Sequence, residues 1–440
     1  MSDQPDIVGQ PEDAIPSPDE PVIRTDDATA GSTNPHVIAL AESIGPRPAG
    51  SPAEAEAASH LIDAFAARGL PSARLKTTVH GTGHLLDLIL AAISFVTIVV
   101  AMLFPVVGLL AIATILIVLV ADGQGAFKLD RFLPARESVN VLGLIPPADE
   151  EVRRVVITAT LDSPPVGMLS RRHMGHLYSW LQMAVVVSSL VAGLITMIAV
   201  VDGGTTVRWF LLLPALVTLA AILLLAEREL RKAHSPGAIT NASGVAALIE
   251  TARLVTADPP KWLEVWLLGV GASSGRGGGM ADFLSRNTFD PDTTYFVHLV
   301  SPGGGTVAIP RSVGAGFRSA PAAPLLAWIF DSVDPDQSKP PPEERSGLVV
   351  DTIAPLTHRA GYQTIVITGM DEKQRIPWLA GEEDLPYHVV DSGIEEAARL
   401  LRDAIDAMDR EVATRAMLAR ATPAAEPILQ YSPDEHTSQE

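Results

Sequence analysis

The chain has 440 residues, no cysteine and a formal net charge of −19. Without cysteine there are no disulfides, thiolate zinc sites or cysteine nucleophiles. The acidic balance argues against nucleic acid as a partner, because a phosphate-binding surface needs an excess of Lys and Arg. The mean hydropathy of +0.26 is high for a chain with this many charges, so apolar residues must be concentrated in blocks. Abundant Ala, Gly, Val and Pro, with Arg preferred to Lys, fit a bacterial source with a GC-rich genome.

In chain order, residues 1–35 form an acidic, Pro-rich tail with net charge −7 and few large apolar residues, expected to be disordered. Residues 36–84 begin an α/β domain, with a helix at 52–68 ended by Gly69 and a strand at 72–79. Residues 85–122 are almost wholly apolar, with Asp87 the only charge up to residue 121. That is too long for one span of about 20 residues. Pro105 and Gly108 lie mid-block, so the block predicts a hairpin of helices at 85–104 and 106–122; one long kinked helix is the alternative. The α/β domain continues over 123–176 with strands at 138–145 and 154–161, and Pro146–Asp149 reads as a turn between antiparallel partners. Residues 177–226 hold a second hairpin, spans 178–201 and 207–226 around a turn at 202–206, with Trp180 and Trp209 near the ends as interfacial aromatics. The domain is completed over 227–420: helix 241–256, strand 262–270, helix 278–286, strand 293–300, helix 320–334, a Pro-rich loop at 335–346, strand 363–368 and helix 393–410. Residues 421–440 are a second disordered tail. Alternating strands and helices predict a three-layer α/β/α sandwich around a mixed sheet, with four transmembrane helices as two hairpins.

The Lys and Arg placement sets an orientation. On the side shared by the non-membrane segments the span flanks carry Arg74, Lys76, Lys128, Arg131, Arg136, Arg171, Arg172, Arg228, Arg231 and Lys232; the hairpin tips carry only Arg208. This bias predicts a multi-pass protein of the bacterial plasma membrane with both termini and the α/β domain cytoplasmic. The N-terminus has no basic, apolar leader of the signal-peptide type. The lipid bilayer is therefore an expected partner.

Five segments, in order, resemble the dizinc aminopeptidases of metallopeptidase family 28: IGPRPAGSPAEAEAASHLIDAFAARGL (44–70), Ser138-Val139-Asn140-Val141, PGAITNASGVAALIETARLV (236–255), LLGVGASSGRGGGMADFL (267–284) and YHVVDSG (387–393). The resemblance implies an α/β/α exopeptidase fold with two zinc ions at the carboxyl ends of the strands. It also implies a degenerate site. The family's first ligand, a His two residues before an Asp, falls on Thr160, with Asp162 matching the Asp; its bridging Asp falls on Thr240; its Glu-Glu pair falls on Ser273 and Ser274; its next Asp falls on Val300 or Ser301. Only His388 matches a ligand. One imidazole and neutral hydroxyls cannot retain two dications, so no metal is expected, although zinc is the family's cofactor.

A second chemistry is open. Gly271-Ala272-Ser273-Ser274-Gly275 fits G-x-S-x-G after a strand, and Asp351 and His388 follow in the order of an α/β-hydrolase triad. Against it, Gly277-Gly278-Gly279 delays the helix that should follow at once. Asn241 and Ser243 are expected to cap the helix starting near 244, and His388 and Asp351 to sit at strand-to-loop junctions. His173, His176 and His234 flank the membrane, where solvated histidines are usual.

If strand 72–79 pairs with 138–145, and that with 154–161, both hairpins leave from the edge that holds the former metal site. The membrane then lies against the old catalytic mouth. The expected function is a catalytically inactive aminopeptidase-like module, a binding or scaffold platform for a membrane protein or peptide at the cleft. The alternative is a membrane-associated hydrolase, a residual metallopeptidase or a serine hydrolase using Ser273.

Overall fold

The computed structural model describes residues 32–80, 83–125, 129–149, 153–170, 177–203, 205–315, 318–333 and 351–421. The acidic tails apart from 32–35 and 421, the loop 335–346, and Lys128, Arg171, Arg172, His173 and His176 lie outside the described residues. In order the elements are α1 (Pro35–Ile38), α2 (Pro52–Ala66), β1 (Ser72–His80), α3 (Gly83–Leu103), α4 (Pro105–Gly123), β2 (Ala135–Ile145), β3 (Arg153–Thr160), α5 (Leu177–Asp202), α6 (Leu212–Arg231), α7 (Ser243–Ala257), β4 (Leu263–Val270) and α8 (Gly278–Arg286). There follow β5 (Thr294–Val300), β6 (Thr306–Ala308), β7 (Ser312–Ala315), β8 (Arg318–Pro321), α9 (Pro324–Val333), α10 (Ala354–Arg359), β9 (Gln363–Met370) and α11 (Asp391–Ala421).

The main sheet has the order β1-β2-β4-β3-β5-β9-β6. β3, β4, β5 and β9 are parallel neighbours, with β1, β2 and β6 antiparallel at the flanks. Side chains alternate between two packed faces, as the two-residue period of a strand requires. Val155, Ile157 and Ala159 of β3 join the core formed with α2, α7, α9 and α11, while Val156 points to the opposite core with Met280 and Phe283 of α8. The expected three-layer sandwich is therefore present. The helix expected at 320–334 starts later: residues 320–321 belong to β8, which pairs antiparallel with β7, and α9 begins at Pro324.

One expected pairing is corrected. β2 pairs with β4, not β3, and Pro146–Asp149 is not a hairpin turn. The amides of Ala148 and Asp149 bond instead to the carbonyls of Pro260 and Lys261, which lead into β4. LEVWLLGV is buried on both faces along nearly its whole length, so it takes a central position between β2 and β3. β3 still runs opposite to β2, so the end of β1, the start of β2 and the end of β3 share one edge. The expected disorder up to residue 35 is also too long. The Asp391 carboxylate accepts from the Ser32 hydroxyl (2.5 Å) and the Thr33 amide (2.7 Å), and Asn34 caps α1.

Among the described residues four helices are long and apolar enough to cross a membrane: those over residues 84–103, 105–123, 180–202 and 206–231. α3 and α4 are separate helices that fold back on one another, broken at Phe104 (φ −129°, ψ 81°). Their approach is close: a Cβ on Gly108 would lie 2.2 Å from the Ala101 Cα, so only glycine permits this hairpin. Outward-facing Leu110, Ile117, Leu213 and Leu216 are each more than 60% exposed, a surface that needs lipid rather than water. Five hydroxyls in this region are satisfied within their own helices. Ser94, Thr114, Ser189, Thr196 and Thr218 each donate to the carbonyl four residues back.

α3 follows β1, α4 leads to β2, α5 follows β3 and α6 leads to α7. All four helices therefore stand on the edge where the parallel strands end. This is where open α/β sheets place their ligands.

Candidate functional site

The N-terminal motif builds one wall. Ser51 caps α2 by accepting from the Glu54 amide, Pro52 starts the helix, and Glu54 reaches back to the Gly50 amide at 2.7 Å. Glu54 is almost fully buried and also accepts from the Ser138 hydroxyl and from the Ala272 amide at 2.7 Å, tying α2 to β2 and to the loop after β4. Burial and the nearby Asp162 carboxylate push the Glu54 carboxyl up to about 7, against the donors that hold it down. Arg47, 1% exposed, makes no direct ion pair among the described residues. It donates to the carbonyls of Leu161, Gly45 and Pro236 at 2.7–3.0 Å. Burial lowers its pKa to about 10, while Asp384 and Asp162 oppose that fall. The arginine thus locks residues 44–48 to the end of β3 and to the segment before α7.

Asp162, fully buried after β3, organises the loop after β4. Its Oδ1 accepts from the Ser273 amide (2.7 Å) and hydroxyl (2.6 Å), and its Oδ2 from the Ser274 amide (2.8 Å). The turn is tight: Ala272 sits at φ 44°, so the strained residue is the one before Ser273. The G-x-S-x-G elbow requires strain at the serine itself. Asp351 accepts from the amides of Ile353 and Ala354 (2.6 Å) and so serves the start of α10. Burial raises its pKa, with those amides opposing. The His388 ring stacks on Trp378 at 4.1 Å, and its Nδ1 lies 2.8 Å from the Glu383 carbonyl. The hydrogen bonds of Ser273, Asp351 and His388 therefore run to three different places. Neither of the last two sits at a bare strand-to-loop junction.

The expected caps are corrected as well. Asn241 Nδ2 donates to Thr160 Oγ1 (2.5 Å), and Ser243 Oγ donates to the Ile239 carbonyl inside the helix. The cap is Asp384, buried in the loop before His388, which accepts from the amides of Ile239 (2.6 Å) and Thr240 (3.1 Å). The wide turn over Ala238–Ala242 precedes α7 and needs an acceptor for its first amides. Thr240 Oγ1 accepts from the Ala380 amide. Glu54, Arg47 and Asp384 are site residues that the sequence reading does not single out; Glu54 carries the capping-box spacing from Ser51, but the burial of all three depends on long-range packing.

Thr160, Thr240, Asn241, Ser273, Ser274, Val300 and Asp351 all face one cavity of about 320 Å³; Asp162 lies behind its wall and His388 outside it. The opposite wall belongs to the membrane helices: Asp87, Leu90, Asp122, Gln182, Leu225 and Arg228. Arg276, from the loop after β4, crosses between the halves. Its guanidinium pairs with Asp87 of α3 at 2.5 Å and Asp122 of α4 at 2.8 Å. Burial works against its charge, but the two carboxylates outweigh it and raise its pKa. Arg228 of α6 donates to the Pro165 carbonyl at 2.9 Å and lies over the Tyr178 ring at 4.1 Å. The loops after β3 and β4 are therefore each fastened to the helices by a buried arginine.

The donor set does not fit zinc. Thr160, Thr240, Ser273 and Ser274 offer neutral hydroxyls, Val300 offers none, Asp162 is already taken up by three donors, and the His388 ring is held elsewhere. Among the described residues no group of three or more His, Asp or Glu side chains is arranged to hold a metal ion.

No family model matches the sequence, and no curated protein matches it. Solved structures do resemble it in fold. A leucine aminopeptidase precursor from Bacteroides thetaiotaomicron aligns with TM-score 0.50 and 13% identity over 86% of this chain and 99% of that one. A Zn-dependent exopeptidase from Parabacteroides distasonis aligns with TM-score 0.48 and 12% identity over 86% and 99%. A glutaminyl cyclase from Tannerella forsythia gives 0.49 and 12% over 84% and 97%. At such identity the likeness concerns fold alone: the chain has a zinc-aminopeptidase-like α/β/α fold around a seven-stranded mixed sheet, with four membrane-capable helices inserted at the site edge.

Proposed function

We propose that the protein is a non-catalytic, membrane-embedded module whose former active-site cleft is a binding surface turned toward the bilayer. The observation that carries this reading is the composition of the cleft: hydroxyl and apolar side chains stand at the positions that resemble ligand and base positions, and membrane helices form the facing wall. A peptidase of soluble peptides needs that mouth open to water. Protein purified without added metal is expected to hold no stoichiometric zinc and to leave aminoacyl anilides intact. A fluorophosphonate probe should leave Ser273 unlabelled. Stoichiometric zinc, chelator-sensitive anilide cleavage, or labelling lost in Ser273→Ala each overturns the reading in favour of a hydrolase.

The α/β domain and both termini belong on the cytoplasmic face of a bacterial plasma membrane in this proposal, by the excess of Lys and Arg on that side. Reporter fusions at Gly203 and at the C-terminus should give opposite locations, with the C-terminus inside. Identical locations, or an external C-terminus, contradict the topology.

A further inference from the structure

We propose that a second cavity, at the domain-side ends of the membrane helices, holds the phosphate head of an anionic glycerophospholipid. The inference goes beyond the reading above. It needs the membrane placement of α3–α6 but not the loss of catalysis in the adjoining cleft.

The cavity lies at a membrane boundary. It measures about 840 Å³, within the range of about 300 to 1,000 Å³ of small-ligand sites. Its walls include His84 at the start of α3, Gly125 just past α4, and Arg228 and Lys232 at the end of α6. These helix ends lie opposite the hairpin tips at Phe104 and Gly203. The short turn Leu129–Phe132, which follows α4, forms part of the same wall. Leu129 and Leu133 pack on Leu86, Leu90 and Leu119 of the membrane helices, while Phe132 is 73% exposed. An exposed aromatic beside basic side chains at the ends of membrane helices suits the headgroup layer.

The charge of the lining is positive, and most clearly so where it is exposed. The cations are Arg131, Arg136, Arg228, Lys232 and Arg276; the acids are Asp130, Glu229 and Asp282. His80, His84 and His234 complete the titratable groups. Arg276 is balanced by Asp87 and Asp122 outside this lining, and Asp282 by Arg286. Glu229 is engaged as well. Arg228 is buried, and its guanidinium bonds run to the Pro165 carbonyl and to His84, so it stands as a positive charge behind the wall. Arg131, Arg136 and Lys232 are exposed, and none of the three makes an ion pair among the described residues. The Arg131 guanidinium lies 4.9 Å from the centre of the Phe132 ring. Asp130, whose carboxylate accepts from the Arg131 amide, is the acid left to oppose them.

Three exposed cations and one opposing carboxylate are complemented by a small anion. Arginine forks bond two phosphate oxygens at once, and a concave wall of one sign concentrates the field on the ligand. A zwitterionic head would bring a second cation into this lining. A soluble phosphate ester would gain nothing from Phe132 or from the position at the helix ends. An anionic glycerophospholipid uses all of these features, its phosphodiester among the basic side chains and its acyl chains entering the bilayer past Phe132.

The test uses the full chain in detergent micelles and a fluorescent phosphatidylglycerol. We expect saturable binding of one probe per chain. Unlabelled phosphatidylglycerol should displace it; equal concentrations of phosphatidylcholine, inorganic phosphate or glycerol 3-phosphate should not. Arg131→Gln, Arg136→Gln and Lys232→Gln should each weaken binding about fivefold, the worth of one basic residue at an anionic lipid surface, with the unfolding temperature unchanged because all three side chains are exposed. Asp130→Asn should tighten binding by a similar factor. Arg231 neighbours Lys232 in sequence but lies outside the lining and pairs with Glu227 and Glu382; Arg231→Gln should change affinity less than about twofold. Absent saturable binding, equal displacement by phosphatidylcholine or by inorganic phosphate, or equal losses for Arg231→Gln and Lys232→Gln each overturn the proposal, the last because it marks a diffuse attraction rather than a site. Zinc or turnover in the neighbouring cleft overturns only the non-catalytic reading.

Discussion

Replacing Arg276 by Met should lower stability by about 3–5 kcal/mol, the cost of breaking a buried ion pair from one side. The side chains of Arg276, Asp87 and Asp122 are 14%, 15% and 2% exposed, and the arginine bonds both carboxylates. Without it, two acids at the base of α3 and α4 are left facing one another with no counter-charge from Arg276. The measurement is the thermal unfolding midpoint in detergent, with the level of full-length protein in membranes as a second readout. The triple variant Arg276→Met, Asp87→Asn, Asp122→Asn should recover most of the loss, because removing a whole buried charge cluster is often close to neutral. A single variant that unfolds no earlier than wild type, or a triple variant as damaged as the single one, contradicts the assignment of this cluster as the fastening between hairpin and domain.

That cluster also shows where sequence reasoning stops. Asp87 stands out as the only charge in an apolar block and Arg276 as the only charge in the run 271–281. Each is a visible signal, since a charge in an apolar block demands a partner. Their pairing spans 189 positions and depends on how the helices rest on the sheet edge, which no local pattern encodes. The same division holds for the fold. Hydrophobic period, Gly and Pro located most strands and the four apolar helices, because those signals are local. The order β2-β4-β3 is not legible, because a short Pro-Pro link between β2 and β3 looks like a hairpin, while β4, over a hundred residues later, takes the place between them. Asn241 and Ser243 have the right chemistry for a cap at nearly the right position, yet the acceptor is Asp384, delivered from a distant loop. In the site, the neutral side chains at the ligand-like positions were legible. That they share one cavity with Gln182 and Leu225 was not, because that depends on the stance of α5 and α6.

The second large effect is expected at Asp162, and it separates a structural serine from a reactive one. The carboxylate accepts from two backbone amides and one hydroxyl of the loop after β4. In Asp162→Ala these donors lose their acceptor inside the protein. At about 1–3 kcal/mol for each buried donor left unsatisfied, and with Ser274 only half-buried, a loss of about 3–5 kcal/mol is expected. Asp162→Asn keeps an oxygen for both Ser273 donors but turns an amide nitrogen toward the Ser274 N–H, so it should lose less, about 1–2 kcal/mol. Ser273→Ala deletes one donor and strands none; its cost should stay near the worth of a single hydrogen bond, about 1 kcal/mol. Chemical or thermal unfolding of the three variants in one detergent should therefore rank them Asp162→Ala, Asp162→Asn, Ser273→Ala, from largest loss to smallest. A hydrolase built on Ser273 predicts another pattern: Ser273→Ala would abolish turnover while Asp162→Asn retained the nucleophile. Equal losses for Asp162→Ala and Ser273→Ala would mean that the serine, not the carboxylate, holds the loop. In that event the wall between the sheet edge and the membrane helices rests on a hydroxyl that reactive chemistry has no freedom to use.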